Sequence, residues 1–234
     1  VLGTELLVRR RPWLAGFPLA LAALLKIVPL VLLAPLLLRR EWRGLSAMLI
    51  WFLALNLVTL AWLPYTAFAD FAQAVAYKMQ TDAHCILSFS VHSLVWRLTF
   101  SKAAAGVVQN LAFFAAIIGA GWLTLRRRAA GGAGWPELMA LWSVVFLIGS
   151  AFLGEAHLVF AVPALAAAVA ALAGSDRLPL LPALAGAAAL ALLGLKYHPD
   201  GLLPYIGWPF TIVVNLKLLG LLLLAGLLAR PGSR

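Results

Sequence analysis

A lysine lies at the centre of the first apolar segment of this sequence. Lys26 occupies the middle of residues 13–38, whose other members are all apolar. A lysine at the centre of a membrane helix costs about 2.5–3.5 kcal/mol on insertion scales. Lys26 is about 12 residues from either end of its run, too far for its side chain to reach a membrane interface. We therefore expect Lys26 to face a phosphate or a carboxylate inside a protein cavity.

A second candidate site lies in residues 88–97, just before another long apolar segment. Polar residues there alternate with apolar neighbours, which is typical of a cavity wall; they are Ser88, Ser90, His92 and Ser93. Arg97 could hold a phosphate through two parallel hydrogen bonds, and Trp96 could cover a sugar ring. An arginine and a tryptophan that anchor a helix at the membrane interface explain the same pair. The sequence leaves both interpretations open.

Two further positions carry groups that could do chemistry. Glu155 and His157 fall in a predicted turn between two apolar segments, where such a pair could orient a substrate or move a proton. Both are equally explained as solvated turn residues. Lys217, near Asn215 in the last apolar segment, is expected to pair with a polar group or with a lipid headgroup. No cluster of ligands predicts a metal site.

The composition shows what kind of elements position these residues. Of the 234 residues, 64% are hydrophobic and 11% are charged, against about 45–50% and 25% in soluble domains. The excess lies in apolar runs of about 18–25 residues, which excludes a water-soluble globular fold. A transmembrane β-barrel is excluded because the runs do not alternate in polarity. The sequence therefore predicts an all-α, polytopic transmembrane helical bundle, with residues 1–234 as a single transmembrane domain.

The positions of the arginines predict how these segments cross the membrane. Arginine clusters stand at both ends of residues 13–38, so both ends are expected in the cytoplasm. Because Pro29 bends or breaks a helix, we expect a re-entrant or kinked pair of helices there. About six full spans follow, at residues 46–63, 107–125, 138–153, 157–172, 178–195 and 207–229. Residues 65–104 form the main external loop, with an amphipathic helix predicted at 68–79.

The same topology places most of the basic residues on the inner side and the histidines on the outer side. After the first apolar run, nine arginines fall in the inner segments: Arg39, Arg40, Arg43, Arg126, Arg127, Arg128, Arg177, Arg230 and Arg234. The four histidines fall outside, together with Glu155 and Arg97. The net charge of +10 therefore indicates membrane orientation rather than a nucleic-acid partner. Cys85 is the only cysteine, so no disulfide within the chain is predicted.

Three segments resemble glycosyltransferase family 87, within the GT-C superfamily of membrane glycosyltransferases. Residues 16–29, which end in Lys26-Ile-Val-Pro29, resemble the family's small-residue helix with a Lys-x-x-Pro centre, and a basic turn follows at residues 39–43. Residues 88–98 are similar to the family's loop that leads to an Arg-Leu pair. Residues 155–163 are similar to its segment of an acidic residue, histidine and aromatic residues that ends in proline.

The resemblance implies a reaction and roles for the candidate residues. It implies transfer of mannose or a related sugar from a polyprenyl-phosphate donor to an extracytoplasmic glycan or glycolipid, at a bacterial plasma membrane and without a cofactor. By resemblance, the donor phosphate is bound by Lys26, Arg97 and His92, and the substrate cavity is lined by Ser90, Trp96, Glu155 and His157. No residue is assigned as catalytic base. In this superfamily the base is typically an acid in the first external loop, so it is expected upstream of Val1, with this chain as the carboxy-terminal portion.

Two functions of other classes fit the same residues. A membrane transporter or lipid flippase would also use a kinked helix with a buried lysine. A non-catalytic assembly subunit would use small-residue faces, such as residues 166–173 and 183–191, for close helix packing. A requirement for Lys26 and Arg97 in binding polyprenyl phosphate separates the enzyme from both.

Overall fold

The computed structural model describes residues 2–25, 28–64, 66–82, 88–129, 134–150, 155–173, 180–194 and 208–229. These ranges are helical and contain no strand. The α-helices are α1 (Leu2–Val8), α2 (Pro12–Leu25), α3 (Leu33–Leu38), α4 (Trp42–Trp62), α5 (Thr66–Asp82), α6 (Val91–Thr99), α7 (Lys102–Ala129), α8 (Trp135–Gly149), α9 (Val162–Ala173), α10 (Leu180–Gly194) and α11 (Trp208–Ala229). Two 3-10 helices cover Val28–Leu32 and Glu155–Ala161. The predicted all-α class is confirmed for these residues.

The first apolar run is broken into a hairpin. Helix α2 packs beside α4 in the same direction, with Phe17 against Trp51 at a ring-centroid distance of 5.1 Å. The chain then returns through the 3-10 helix and α3. Leu36, near the end of α3, and Pro12, at the start of α2, both lie close to Gly44. The two ends of the run therefore meet at one end of α4, as expected for a re-entrant or kinked pair.

The length of α2 fits an incomplete crossing. Its 14 residues span about 21 Å, less than the roughly 30 Å of a bilayer's hydrocarbon core. Lys26, on which the sequence prediction was centred, lies outside the described residues.

Among the described residues, α4 and α7 are long and apolar enough to cross a membrane. They have 21 and 28 residues. The predicted span at residues 138–153 is a helix that ends at Gly149, and the span at 157–172 is divided between a 3-10 helix and the 12-residue α9. Proline explains the division, because Pro163 has no N–H and suits the first turn of a new helix. The six full spans stay a prediction.

The predicted external loop contains helices. Its helix at residues 68–79 is confirmed, because α5 covers that segment and extends it at both ends. Phe71 and Tyr77 on α5 are 58% and 70% exposed. Helix α6 and the first turn of α7 also fall within residues 65–104.

Several helix ends meet at one end of the bundle through arginines. Arg128 Nη1 donates to the carbonyl oxygen of Leu38, at the end of α3, over 3.0 Å. Arg127 Nη2 donates to the carbonyl oxygen of Leu228, near the end of α11. Arg39 stacks over the Trp135 ring at the start of α8, 4.7 Å from its centroid. We call the end of the bundle that contains Arg39, Arg127 and Arg128 the basic end. Cations are favourable there because helix C-termini carry partial negative charge.

Candidate functional site

A serine-rich turn leads into α6 and is buried in the bundle. Ser88, Ser90 and Ser93 are at most 1% exposed. Ser90 caps α6, because its hydroxyl accepts the backbone N–H of Ser93 at 3.1 Å. The Ser93 hydroxyl donates to the Ser88 carbonyl at 2.9 Å. These bonds compensate the hydroxyls for loss of water, so the turn is held in one conformation.

Arg97 folds back onto the same turn from the end of α6. Its Nη2 donates to the carbonyl oxygen of Ser88 over 2.7 Å. The geometry follows from α6 itself, since helical side chains tilt toward the N-terminus of their helix, where Ser88 lies. A guanidinium has five N–H donors in all, so a bond to a backbone carbonyl is compatible with a contact to a phosphate.

Gln109 ties the turn to two long helices. Its Oε1 accepts the backbone N–H of His92 at 2.9 Å, and its Nε2 donates to the carbonyl oxygen of Ile148 at 2.9 Å. The side chain therefore joins the start of α6, α7 and the end of α8. Gln109 was not predicted as a site residue: two adjacent amides, Gln109 and Asn110, interrupt the apolar stretch, and their local pattern does not specify which of them is buried or what it contacts.

Lys217 reaches the turn from α11. It is 2% exposed, and its Nζ lies 5.6 Å from the ring centroid of Phe89, which is itself fully buried. The contact places the ammonium within the range of a cation–π interaction. The sequence suggested a polar group or a lipid headgroup as partner of Lys217, and that stays a prediction; the contact with the Phe89 ring was not predicted.

These residues form a polar cluster, which we define as Ser88, Ser90, His92, Ser93, Arg97, Gln109 and Lys217. It lies far from the basic end: Gln109 and Arg127 are separated along the axis of α7 by about 27 Å at 1.5 Å per residue. That distance is close to the thickness of a bilayer's hydrocarbon core. The cluster and the basic end therefore lie at opposite ends of the long helices.

Three of the predicted site residues belong to this cluster: Ser90, His92 and Arg97. Trp96 lies beside them on α6 and is partly buried. His157 is partly buried in the second 3-10 helix, which packs on α8, with Phe160 against Phe146. Glu155 begins that 3-10 helix, but its side chain, like all of Lys26, lies outside the described residues.

The chemistry of the cluster is that of hydrogen-bond donors and positive charge. Arg97 and Lys217 contact the adjacent residues Ser88 and Phe89, so two cations converge on one short segment. Within the described ranges, no group of three or more His, Cys, Asp or Glu side chains converges as a metal site would require. An arrangement of this kind suits an anion, because cations and oriented donors act strongly where water is excluded.

Comparison with known proteins adds one finding. The sequence model of the family described as glycosyltransferase family 87 matches residues 1–151, which include α1–α8 and every member of the polar cluster except Lys217. The searches of curated proteins and of solved structures gave no match.

Proposed function

The chain belongs to glycosyltransferase family 87, and from that membership we propose that it transfers mannose from a polyprenyl-phosphate donor to a glycan or glycolipid acceptor. Membership alone establishes a membrane glycosyltransferase, an enzyme that uses a sugar donor and an acceptor. What we propose beyond this membership is the identity of the sugar and of the lipid phosphate that carries it.

The polar cluster is the observation that carries the proposal. When the acceptor hydroxyl attacks the anomeric carbon, a carboxylate base takes up the hydroxyl proton, the bond from that carbon to the phosphate oxygen breaks, and the phosphate takes up the electron pair. A cation beside the phosphate lowers the barrier by stabilising that charge. Arg97, which the Ser88 carbonyl orients, is suited to this task, and we assign His92, at the start of the same helix, to the same phosphate. We assign Lys26 to the same phosphate because a lysine at the centre of an apolar segment needs a negatively charged partner.

The acceptor and the sugar require separate contacts. We propose that Ser90, Trp96, Glu155 and His157 line the substrate cavity, with the Trp96 ring against a sugar face. The polar cluster contacts the last turns of α8 at Ile148, and the second 3-10 helix contacts them at Phe146. This proximity supports one cavity shared by the two.

The membrane arrangement is proposed on the same grounds. We place the basic end in the cytoplasm and the polar cluster at the outer face of a bacterial plasma membrane, in a multi-pass bundle of GT-C type with residues 1–234 as one domain. The positive-inside rule and the roughly 27 Å between the two ends support this orientation.

Substitution of Arg97 tests the proposed donor site. We expect Arg97→Ala to lower kcat for transfer from polyprenyl-phosphate mannose by about 10²–10³-fold, as for other lost charge-stabilising donors. Arg97→Lys should recover part of the rate, because it restores the charge without the planar fork. The measurement is transfer of radiolabelled mannose in reconstituted membranes.

Lys102 provides the matched control for this experiment. It is an exposed cation at the start of α7, on the same side of the bundle. Lys102→Ala should leave kcat within about twofold, since an exposed charge is screened by solvent. Full activity of Arg97→Ala would refute the assigned role of Arg97, and a wild-type protein that uses a nucleotide sugar instead would refute the proposed donor.

A further inference from the structure

The contact between Lys217 and Phe89 joins the candidate site to a helix beyond the family match. Lys217 lies on α11, whereas the match to the family ends at residue 151. Helix α11 packs against both α6 and α8, so the contact belongs to a larger helix interface. The site is therefore not completed by the matched residues alone.

The contact is energetically significant because both partners are buried. A lysine in an apolar helix is costly, and an aromatic face offsets more of that cost when water is excluded. Lys217 lies about 17 Å along α11 from Leu228 at the basic end. Its side chain tilts toward the N-terminus of α11, which brings the ammonium to the level of the serine-rich turn.

Phe89 is placed between the two residues that fix the turn. On one side, the Ser88 carbonyl accepts the hydrogen bond from Arg97. On the other side, Ser90 caps α6 and so sets the direction of the helix that carries Arg97 and His92. A displacement of the Phe89 ring therefore moves the acceptor of Arg97 and the cap of α6 together.

We propose that Lys217 is a positioning residue for the donor site: its ammonium holds Phe89 by a cation–π contact and thereby fixes the Ser88 carbonyl that orients Arg97. This inference rests on the proposed function for its effect on the donor, but the positioning of Arg97 is independent of which donor is used. It gives the carboxy-terminal helices a role in the site.

A double-mutant cycle with Lys217→Met and Phe89→Leu tests the proposal. The first readout is the KM for polyprenyl-phosphate mannose. The second is the rate at which phenylglyoxal modifies Arg97, followed by mass spectrometry of chymotryptic peptides, which needs no donor. Each single substitution should raise both the KM and the modification rate of Arg97 by about 5–30-fold. That is the range expected for loss of a cation–π contact from which water is excluded.

The cycle distinguishes a shared role from separate ones. If Lys217 acts through Phe89, the double variant is no worse than either single variant, and Lys217→Arg is close to wild type because arginine also stacks on aromatic rings. Leu221→Ala, one turn further on α11 and equally buried, controls for packing and should leave the modification rate of Arg97 unchanged.

Contrary outcomes refute the proposal separately from the proposed function. Multiplicative effects in the double variant, or an effect of Lys217→Met with none of Phe89→Leu, would show that Lys217 does not act through Phe89. If Leu221→Ala raises the modification rate of Arg97 as much as Lys217→Met does, the effect of Lys217 is one of general packing and not of the cation–π contact. A wild-type protein without activity toward the donor refutes only the donor assignment, and the Arg97 modification rates still decide the role of Lys217.

Discussion

Single polar side chains in this protein fix the relative positions of several helices. Gln109 is 4% exposed and uses both ends of its amide, toward the His92 N–H and the Ile148 carbonyl. The adjacent Asn110, about 100° further around α7, is exposed. Gln109 therefore holds helices together through its hydrogen bonds, whereas its neighbour Asn110 lies at the surface.

We predict that Gln109→Leu lowers the free energy of unfolding by about 1–3 kcal/mol for each buried backbone group left without its partner. Asn110→Leu is the matched control and should change stability little, because it affects an exposed position. Unfolding in detergent, followed by circular dichroism, gives the comparison. Equal stability of the two variants would contradict the role assigned to the Gln109 hydrogen bonds.

Sequence reasoning identified part of the site from local patterns. The alternation of polar residues before α7 indicated Ser90, His92 and Arg97, which the structure brings together around one turn. Gln109 and the Phe89 partner of Lys217 depend on residues 17 and 128 positions away, so no local pattern specifies them. Their contacts follow from how α7 and α11 pack.

At the scale of elements, a glycine permits a close contact between the backbones of two helices. A Cβ atom added to Gly16 would lie 2.6 Å from the backbone carbonyl carbon of Ala47 and 2.8 Å from the backbone nitrogen of Met48. Backbone atoms cannot move aside as a flexible side chain does. Helices α2 and α4 can therefore pack this closely only with glycine at position 16.

We predict that Gly16→Ala destabilises the protein by about 1–3 kcal/mol, the usual cost of overpacking a tight contact. Gly119→Ala is the control: a Cβ there meets nothing within 4 Å, and alanine favours helix more than glycine does, by up to about 1 kcal/mol. Thermal unfolding should thus shift in opposite directions. A Gly16→Ala protein as stable as wild type would show that α2 and α4 are not held at this distance.

The elements themselves were predictable where one signal dominates. The apolar runs predicted α4 and α7, which the structure has as long helices. The predicted span at residues 157–172 contains a boundary between a 3-10 helix and α9 that the sequence did not predict. The residues next to that boundary are apolar on both sides, so hydropathy does not locate it, whereas Pro163 could have indicated the break.

At the scale of the whole molecule, the ends of the hairpin and the arginines lie at the same end of the bundle. Pro12 and Leu36 lie at the Gly44 end of α4, and Leu7 also lies there. Trp135, which Arg39 stacks on, packs with the same group of apolar side chains. The turns at residues 9–11 and 39–41 therefore belong with the basic end, and α4 carries the chain from there to the opposite end, where α5 begins.

We predict that cysteines placed next to the two arginine turns react from one face of the membrane. Arg10 and Arg40 have positive φ angles of 54° and 56°, so the exposed neighbours Arg11 and Glu41 are the better positions for Arg11→Cys and Glu41→Cys in a Cys85→Ala background. Both should react with an impermeant maleimide from the cytoplasmic face, because each terminus of the hairpin returns to the same side. Tyr77→Cys on α5 should react only from the other face. Labelling of residues 11 and 41 from opposite faces would require residues 12–38 to cross the bilayer completely, which the roughly 21 Å of α2 and its parallel packing on α4 do not provide.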